Sequence, residues 1–210
     1  MTNVRIARQP ILNEEQIVEG YELLYPTGEV DDTLAAARIA LEALSEIGFE
    51  RLVGTSRAWI NVTPEFLAHD MVLNLPAERV VLELNPEIGQ DPVVMARLRE
   101  LRDEGYTLAA AHFQLAPDPQ PLLGIVDIVK SDMREIGAWE LARQSFELRN
   151  LDVSLVACNV ETGDDFTRAK AAGANLFQGF FFCRPHMLPG RRITPSKAAM
   201  ITIRTGESAA

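Results

Sequence analysis

Apolar residues along this chain fall into short β-rich runs separated by longer stretches in which apolar positions recur every three or four residues. Runs of the first kind predict strands and stretches of the second kind predict amphipathic helices. The predicted strands are Val4 to Arg8, Ile17 to Leu24, Ala58 to Val62, Val80 to Leu84, Thr107 to Ala111, Ile125 to Lys130, Ser154 to Cys158 and Leu176 to Phe180. Helix-start signals lie between them. Asp31-Asp32-Thr33 can cap a helix with Leu34, Ala37, Leu41 and Leu44 on one face, and Asp91-Pro92 opens another that reaches about Glu104 before Gly105. Two more are expected over Arg134 to Arg149 and Thr162 to Ala172, the latter ending at Gly173.

Only Gln9 to Gln16 stand between the first two strands, with Asn13-Glu14-Glu15 as the polar break, too few residues for a crossover helix, so the sheet opens with an antiparallel hairpin. Strand-then-helix units follow. The order predicts an α/β fold, a closed barrel with an irregular first turn. Such barrels usually need roughly 250 residues, and 210 residues imply short loops. An open doubly wound sheet is the rival arrangement, but no Gly-rich phosphate loop follows any strand. One barrel domain over residues 1–203 is expected, with residues 204–210, ending Gly206-Glu207-Ser208-Ala209-Ala210, as a flexible tail.

Charge narrows the partners. With 30 acidic against 20 basic residues the net charge is -10, which argues against a nucleic-acid polymer or an anionic membrane as a non-specific partner. No apolar run approaches the roughly 20 residues of a spanning helix, and no cleavable leader opens the chain, so a cytoplasmic location is expected. Cys158 and Cys183 are too few for a disulfide scaffold and read as small buried hydrophobes. His69 and His186 read as surface residues.

In a parallel barrel the working site lies where strands end, so polar residues closing apolar runs carry the functional signal. Glu22, Asn61 and Glu83 hold such places and offer hard oxygen ligands suited to Mg²⁺, Mn²⁺ or Ca²⁺. Lys130 and Asp132 close the sixth run and Glu161-Thr162 follows the seventh. That lysine can position a water or neutralise a phosphate, while a salt bridge across the barrel mouth satisfies the same spacing. Gln178-Gly179 closes the last run, where the amide can bind a ligand and the glycine permits close backbone approach or corner packing. His112 is the histidine placed at the presumed mouth. Phe180-Phe181-Phe182 fits either a strand in the core or an interface.

These motifs, in this order, resemble the EAL domain of bacterial cyclic di-GMP signalling proteins. The opening, Ala7-Arg8-Gln9-Pro10-Ile11 and then Gly20-Tyr21-Glu22-Leu23-Leu24, is most similar to the EAL part of proteins that join EAL to HDOD domains. The resemblance continues through Asn61-Val62-Thr63-Pro64, Val81-Leu82-Glu83-Leu84, Val129-Lys130-Ser131-Asp132 and Val160-Glu161-Thr162, and closes at Gln178-Gly179-Phe180 to Arg184-Pro185. It implies a modified (β/α)8, TIM-like barrel whose first strand runs antiparallel, in keeping with the hairpin. It also implies a two-metal phosphodiesterase site, with Glu22, Asn61 and Glu83 as ligands of the first metal, Lys130 near the water or phosphate, Glu161 in support and Gln178 facing the site.

Departures from that pattern set the functional expectation. The family's paired aspartates become Ala111-His112, the Glu that precedes its Gly-Val-Glu becomes Cys158, a Thr-Glu pair becomes Asn85-Pro86, and Pro26 replaces a phosphate-contacting arginine. The loop after His112 is rich in proline rather than glycine, from Gln114 to Pro121. With no carboxylate joining two dications, catalysis is not expected: Lys130 and Glu161 would be vestigial, as would the metal set Glu22, Asn61 and Glu83, with no cofactor. The expected role is a signalling or protein-interaction module, through a protein partner or a homodimer. Alternatives are a non-catalytic cyclic di-GMP receptor using Gln9, Gln178 and Arg184, and a weak phosphodiesterase using Mg²⁺ or Mn²⁺. A repurposed metal site joining His112 to these carboxylates ranks last.

Overall fold

The computed structural model of the chain describes residues 5–24, 48–115 and 121–189. The expected helix after Asp31, Pro26, most of the proline-rich loop and the tail at 204–210 lie outside the described residues.

Strands β1 (Arg5–Asn13) and β2 (Val18–Leu24) form the hairpin. Its turn is built by Asn13, whose side-chain oxygen accepts the N–H groups of Glu15 and Ile17 while its NH2 donates to Glu19. Gln16 takes the left-handed conformation at φ 62° that closes the loop. Pairing sets Gln9 opposite Glu22, and with a side-chain period of two this puts both on one face. The parallel strands β3 (Arg57–Val62), β4 (Val80–Leu84), β5 (Thr107–Ala110), β6 (Ile128–Asp132), β7 (Ser154–Cys158) and β8 (Leu176–Phe177) continue the sheet from β2. β1 pairs antiparallel with both β2 and β8, which closes the barrel.

Helices α1 (Phe49–Val53), α2 (Pro64–Leu67), α3 (Pro92–Asp103), α4 (Ala138–Arg149) and α5 (Gly163–Ala171) follow their strands. The Asp91 carboxylate accepts the N–H groups of Val93 and Val94 to start α3, and Val94, Met95, Leu98 and Leu101 form its buried stripe. Thr162 and Asp165 form a reciprocal capping box on α5. Gly105 and Gly173, at φ 94° and 96°, end the turns after α3 and α5. The larger core lies between sheet and helices, where Leu82, Leu108, Val129 and Leu155 meet Leu98, Leu141 and Leu148. A second, smaller core of Ile11, Trp59, Val81, Ala109, Ile128 and Val156 fills the barrel itself.

The structure departs from expectation first in β1, which runs on to Asn13 instead of stopping at Arg8 because it pairs along its length with β2 and then with β8, and at four further places. β6 begins at Ile128 instead of Ile125, because the chain turns through Pro121–Gly124 and the Asp127 carboxylate is drawn to the N–H of Leu108. α4 begins at Ala138 instead of Arg134, since the Asp132 carboxylate accepts the Arg134 N–H and holds the following residues in a turn. β8 stops at Phe177, and the next residues fold over Val160, whose N–H donates to the Gln178 carbonyl. Gly179 is required there: a Cβ would stand 2.0 Å from the Val160 carbonyl oxygen. Phe180 and Phe181 are therefore exposed rather than core strand residues, and Cys183 is exposed rather than buried. A ninth strand, β9 (His186–Pro189), pairs with Arg5 to Arg8 of β1; its length and closing proline gave no strand signal.

Candidate functional site

Two residues beyond each member of the inner apolar core, the same face of each strand presents a different layer. Trp59 leads to Asn61, Val81 to Glu83, Ala109 to Ala111, Ile128 to Lys130 and Val156 to Cys158. On the antiparallel β1, Ile11 leads back to Gln9, and Gly20 on β2 leads to Glu22. These residues, with Gln178 past β8, line a cavity of about 270 Å³ at the C-terminal end of the parallel strands.

Its centre is a buried charge cluster. The Lys130 ammonium donates to both oxygens of Glu83 at 2.6 and 2.7 Å and to one oxygen of Glu22 at 3.0 Å. The other Glu22 oxygen accepts from the Asn61 amide at 3.1 Å, and Gln178 donates to Glu22 at 2.6 Å. Gln178 also reaches the Gln9 oxygen at 3.3 Å, and Gln9 in turn donates to the Cys183 carbonyl. Below the ammonium lies the Trp59 ring, 5.8 Å to its centre.

One lysine shared by two carboxylates splits their titration. Burial raises the carboxyl of Glu22, but Lys130 and the amides of Gln178 and Asn61 outweigh it and hold the group below its usual value. Glu83 lacks the amide donors, and burial together with the Glu22 charge pushes it up to about 7 despite Lys130. For Lys130, burial favours the neutral form, yet Glu83 and Glu22 dominate and raise its pKa, so it stays protonated. Burial pushes the Cys158 thiol up to about 12, which makes it a poor nucleophile.

Beyond Lys130 the rim is organised by Asp132. Its nearly fully buried carboxylate accepts from the Arg134 guanidinium and backbone N–H and from the Asn159 amide at 2.8 Å. Burial opposes ionisation of Asp132, but these donors hold its pKa below the usual value. Asn159 adopts φ 56° and His112 adopts φ 48°. His112 is exposed at the rim, and the next residue returns to the barrel through the Phe113 N–H bonded to the Lys130 carbonyl.

Of the residues singled out in the sequence, the fold thus brings together Gln9, Glu22, Asn61, Glu83, Lys130 and Gln178, with Ala111, His112 and Cys158 on the wall. Lys130 makes the salt bridge that its spacing allowed. Two candidates stand apart: Glu161 is exposed and outside the cavity lining, and Arg184 is exposed with its guanidinium 5.0 Å from the Phe180 ring centre. Pro86 begins a 3-10 turn, Pro86–Gln90, away from the cavity. His69 and His186 are exposed, as expected. Sequence reasoning missed Trp59 and Asn159. The alternation that leads from Trp59 to Asn61 marks the first, whereas nothing local marks Asn159 beyond its tolerance of positive φ.

No family model matches the sequence. The chain is 32% identical over 205 residues to the cyclic di-GMP phosphodiesterase CdgJ of Vibrio cholerae, covering 93% of this chain and 47% of that protein. It is 30% identical over 205 residues to the Bacillus subtilis protein YuxH, covering 91% and 49%. The chain therefore spans about half the length of these curated relatives. Among solved structures, the Klebsiella pneumoniae BlrP1 complex with manganese and cyclic di-GMP aligns with a TM-score of 0.70 at 23% identity, over 90% of this chain and 59% of that one. An EAL domain protein from Listeria monocytogenes aligns at 0.67 and 19% identity, over 97% and 92%. With the barrel closed by an antiparallel first strand and the motifs standing in order around its mouth, the chain has the fold of the EAL domain proteins and is similar in sequence to a cyclic di-GMP phosphodiesterase.

Proposed function

We propose that this barrel is a non-catalytic EAL module that serves cyclic di-GMP-related signalling through protein contacts rather than by hydrolysis. One observation carries the reading: the space between Glu22 and Glu83 holds the Lys130 ammonium at hydrogen-bond distance from both, while β5 delivers an alanine and a histidine and no carboxylate. A pair of dications 3.5–4 Å apart needs a shared anionic ligand to offset their repulsion. Ala111 supplies none beside Glu22 and Glu83, and Asp132, farther out at the rim, is held by Arg134 and Asn159. The residues present do not fit a metal pair. A single hard cation on Glu22, Asn61 and Glu83 would first have to displace Lys130 from Glu83.

A receptor reading has its own support. The cavity is formed, and BlrP1 and the phosphodiesterase PaMucR are solved in complexes with cyclic di-GMP. Against it, the amides of Gln9 and Gln178 are spent on each other, on Glu22 and on the Cys183 carbonyl. Calorimetric titration of the purified chain with cyclic di-GMP, with and without Mn²⁺, followed by chromatography of the nucleotide, separates these readings. The interaction module gives neither heat nor linear product. Saturable heat without product would establish the receptor, and linear product would overturn the non-catalytic reading.

A further inference from the structure

Next to the lysine cluster, but sharing no residue with it, the end of β6 and the loops after β5 and β6 bring His112, Asp132 and Glu135 together. One ligand atom from each lies within 4.8 Å of the others. We propose that these three side chains form a site for a single divalent cation of the borderline class, Zn²⁺, Co²⁺ or Ni²⁺, at the cavity rim. Around a tetrahedral ion about 2.1 Å from each ligand the donor atoms stand roughly 3.4 Å apart. Closing the present arrangement thus takes a movement of about 1 Å, which His112 and Glu135 can make because both are exposed. Imidazole beside two carboxylates selects a borderline ion over Mg²⁺ or Ca²⁺, which prefer all-oxygen shells.

What holds Asp132 and Glu135 now indicates how the site is controlled. Both Asp132 oxygens are occupied, one by the Arg134 N–H and Nε, the other by Arg134 Nη2 at 2.7 Å and Asn159 at 2.8 Å. Glu135 accepts from the Gln114 amide at 3.2 Å. The Arg134 side chain is 62% exposed and can swing into water, but the Asp132 side chain is only 3% exposed, so the arriving ion itself has to replace the charge that leaves. Its guanidinium is thus the competitor of the ion, a positive charge that must swing out before a metal enters. Asn159 would remain on the second Asp132 oxygen and orient the carboxylate. Because His112 and Asp132 also line the cavity, the positions left open on the ion face that cavity. They would accept water or an anionic oxygen.

The test is titration of the full chain with Co²⁺ and Zn²⁺, followed by the visible absorption of Co²⁺ and by melting temperature. One saturating equivalent is expected, with no thiolate-to-cobalt band, which would otherwise implicate Cys158 or Cys183. Mg²⁺ should not compete at equal concentration. His112→Ala and Glu135→Ala change exposed residues, so their folding is not at issue, and each should weaken binding at least about 100-fold. Arg134→Ala should tighten it about fivefold. Affinity unchanged in His112→Ala, or a thiolate band in the native chain, would overturn the site, as would absence of saturable binding in both the native chain and Arg134→Ala.

Discussion

The two halves of the barrel mouth differ in what they contribute. β2, β3 and β4 end in Glu22, Asn61 and Glu83, a run of oxygen ligands. β5, β6 and β7 lead to Ala111, Lys130 and Cys158, which bring a methyl group, a cation and a protonated thiol. The first half resembles a metal site and the second half neutralises it from within. Anionic ligands kept on one side of a buried cavity need a compensating charge, and here that charge is covalently part of the chain.

Removing the internal cation should therefore break the comparison most severely. Lys130→Met leaves Glu22 and Glu83 buried side by side, and urea denaturation should show a loss of about 3–5 kcal/mol. Mn²⁺ should then stabilise the variant more than it stabilises the native chain, since the vacated carboxylates can take an ion. If Lys130→Met were as stable as the native protein, the ammonium would not be what balances the two carboxylates.

Glu83 sharpens the same contrast through pH. Its carboxyl sits at about 7 in the folded chain, above the ordinary value of 4.5. Between those values the folded state holds a proton that the unfolded state has released, so stability falls as pH rises from about 4.5 through 7. Two and a half pK units correspond to roughly 3 kcal/mol. Glu22 acts in the opposite sense, its lowered pKa giving stability that is lost only as pH falls below 4.5. Denaturation of native and Glu83→Gln proteins from pH 5 to 8 should show the downward slope in the first and its loss in the second.

How much of this was legible in the sequence depended on whether the cause was local. The inward positions of β2, β3, β4 and β6 follow from alternation alone, so the strand pattern itself assigns Glu22, Asn61, Glu83 and Lys130 to one face. The caps Asp91 and Thr162 were legible for the same reason, being side-chain bonds within three residues. The cluster of Asp132 with Arg134 and Asn159 was not, because Asn159 comes from the loop that follows the next strand. Nor was the escape of Phe180 and Phe181 from the sheet, which follows from Gly179 packing on the Val160 backbone. β9 owes its strand form to the edge offered by Arg5 to Arg8 and not to its own residues.

The smallest effect concerns the rim of the second half. His112 holds φ 48°, a conformation that costs a residue with a Cβ about 1 kcal/mol or more. Glycine gives back part of that in unfolded-state entropy. His112→Gly should be more stable by about 0.5 kcal/mol or less, a shift of about 1–2 °C in melting temperature for a domain of this size.

Single-turnover reaction of cyclic di-GMP with an excess of the native chain and Mn²⁺, read by chromatography beside a Glu22→Ala control, tests the central claim most directly. The account predicts that the nucleotide is recovered intact from both. Linear dinucleotide formed by the native chain and absent from Glu22→Ala would contradict it, and would mean that Lys130 yields its place between the two glutamates to a catalytic ion.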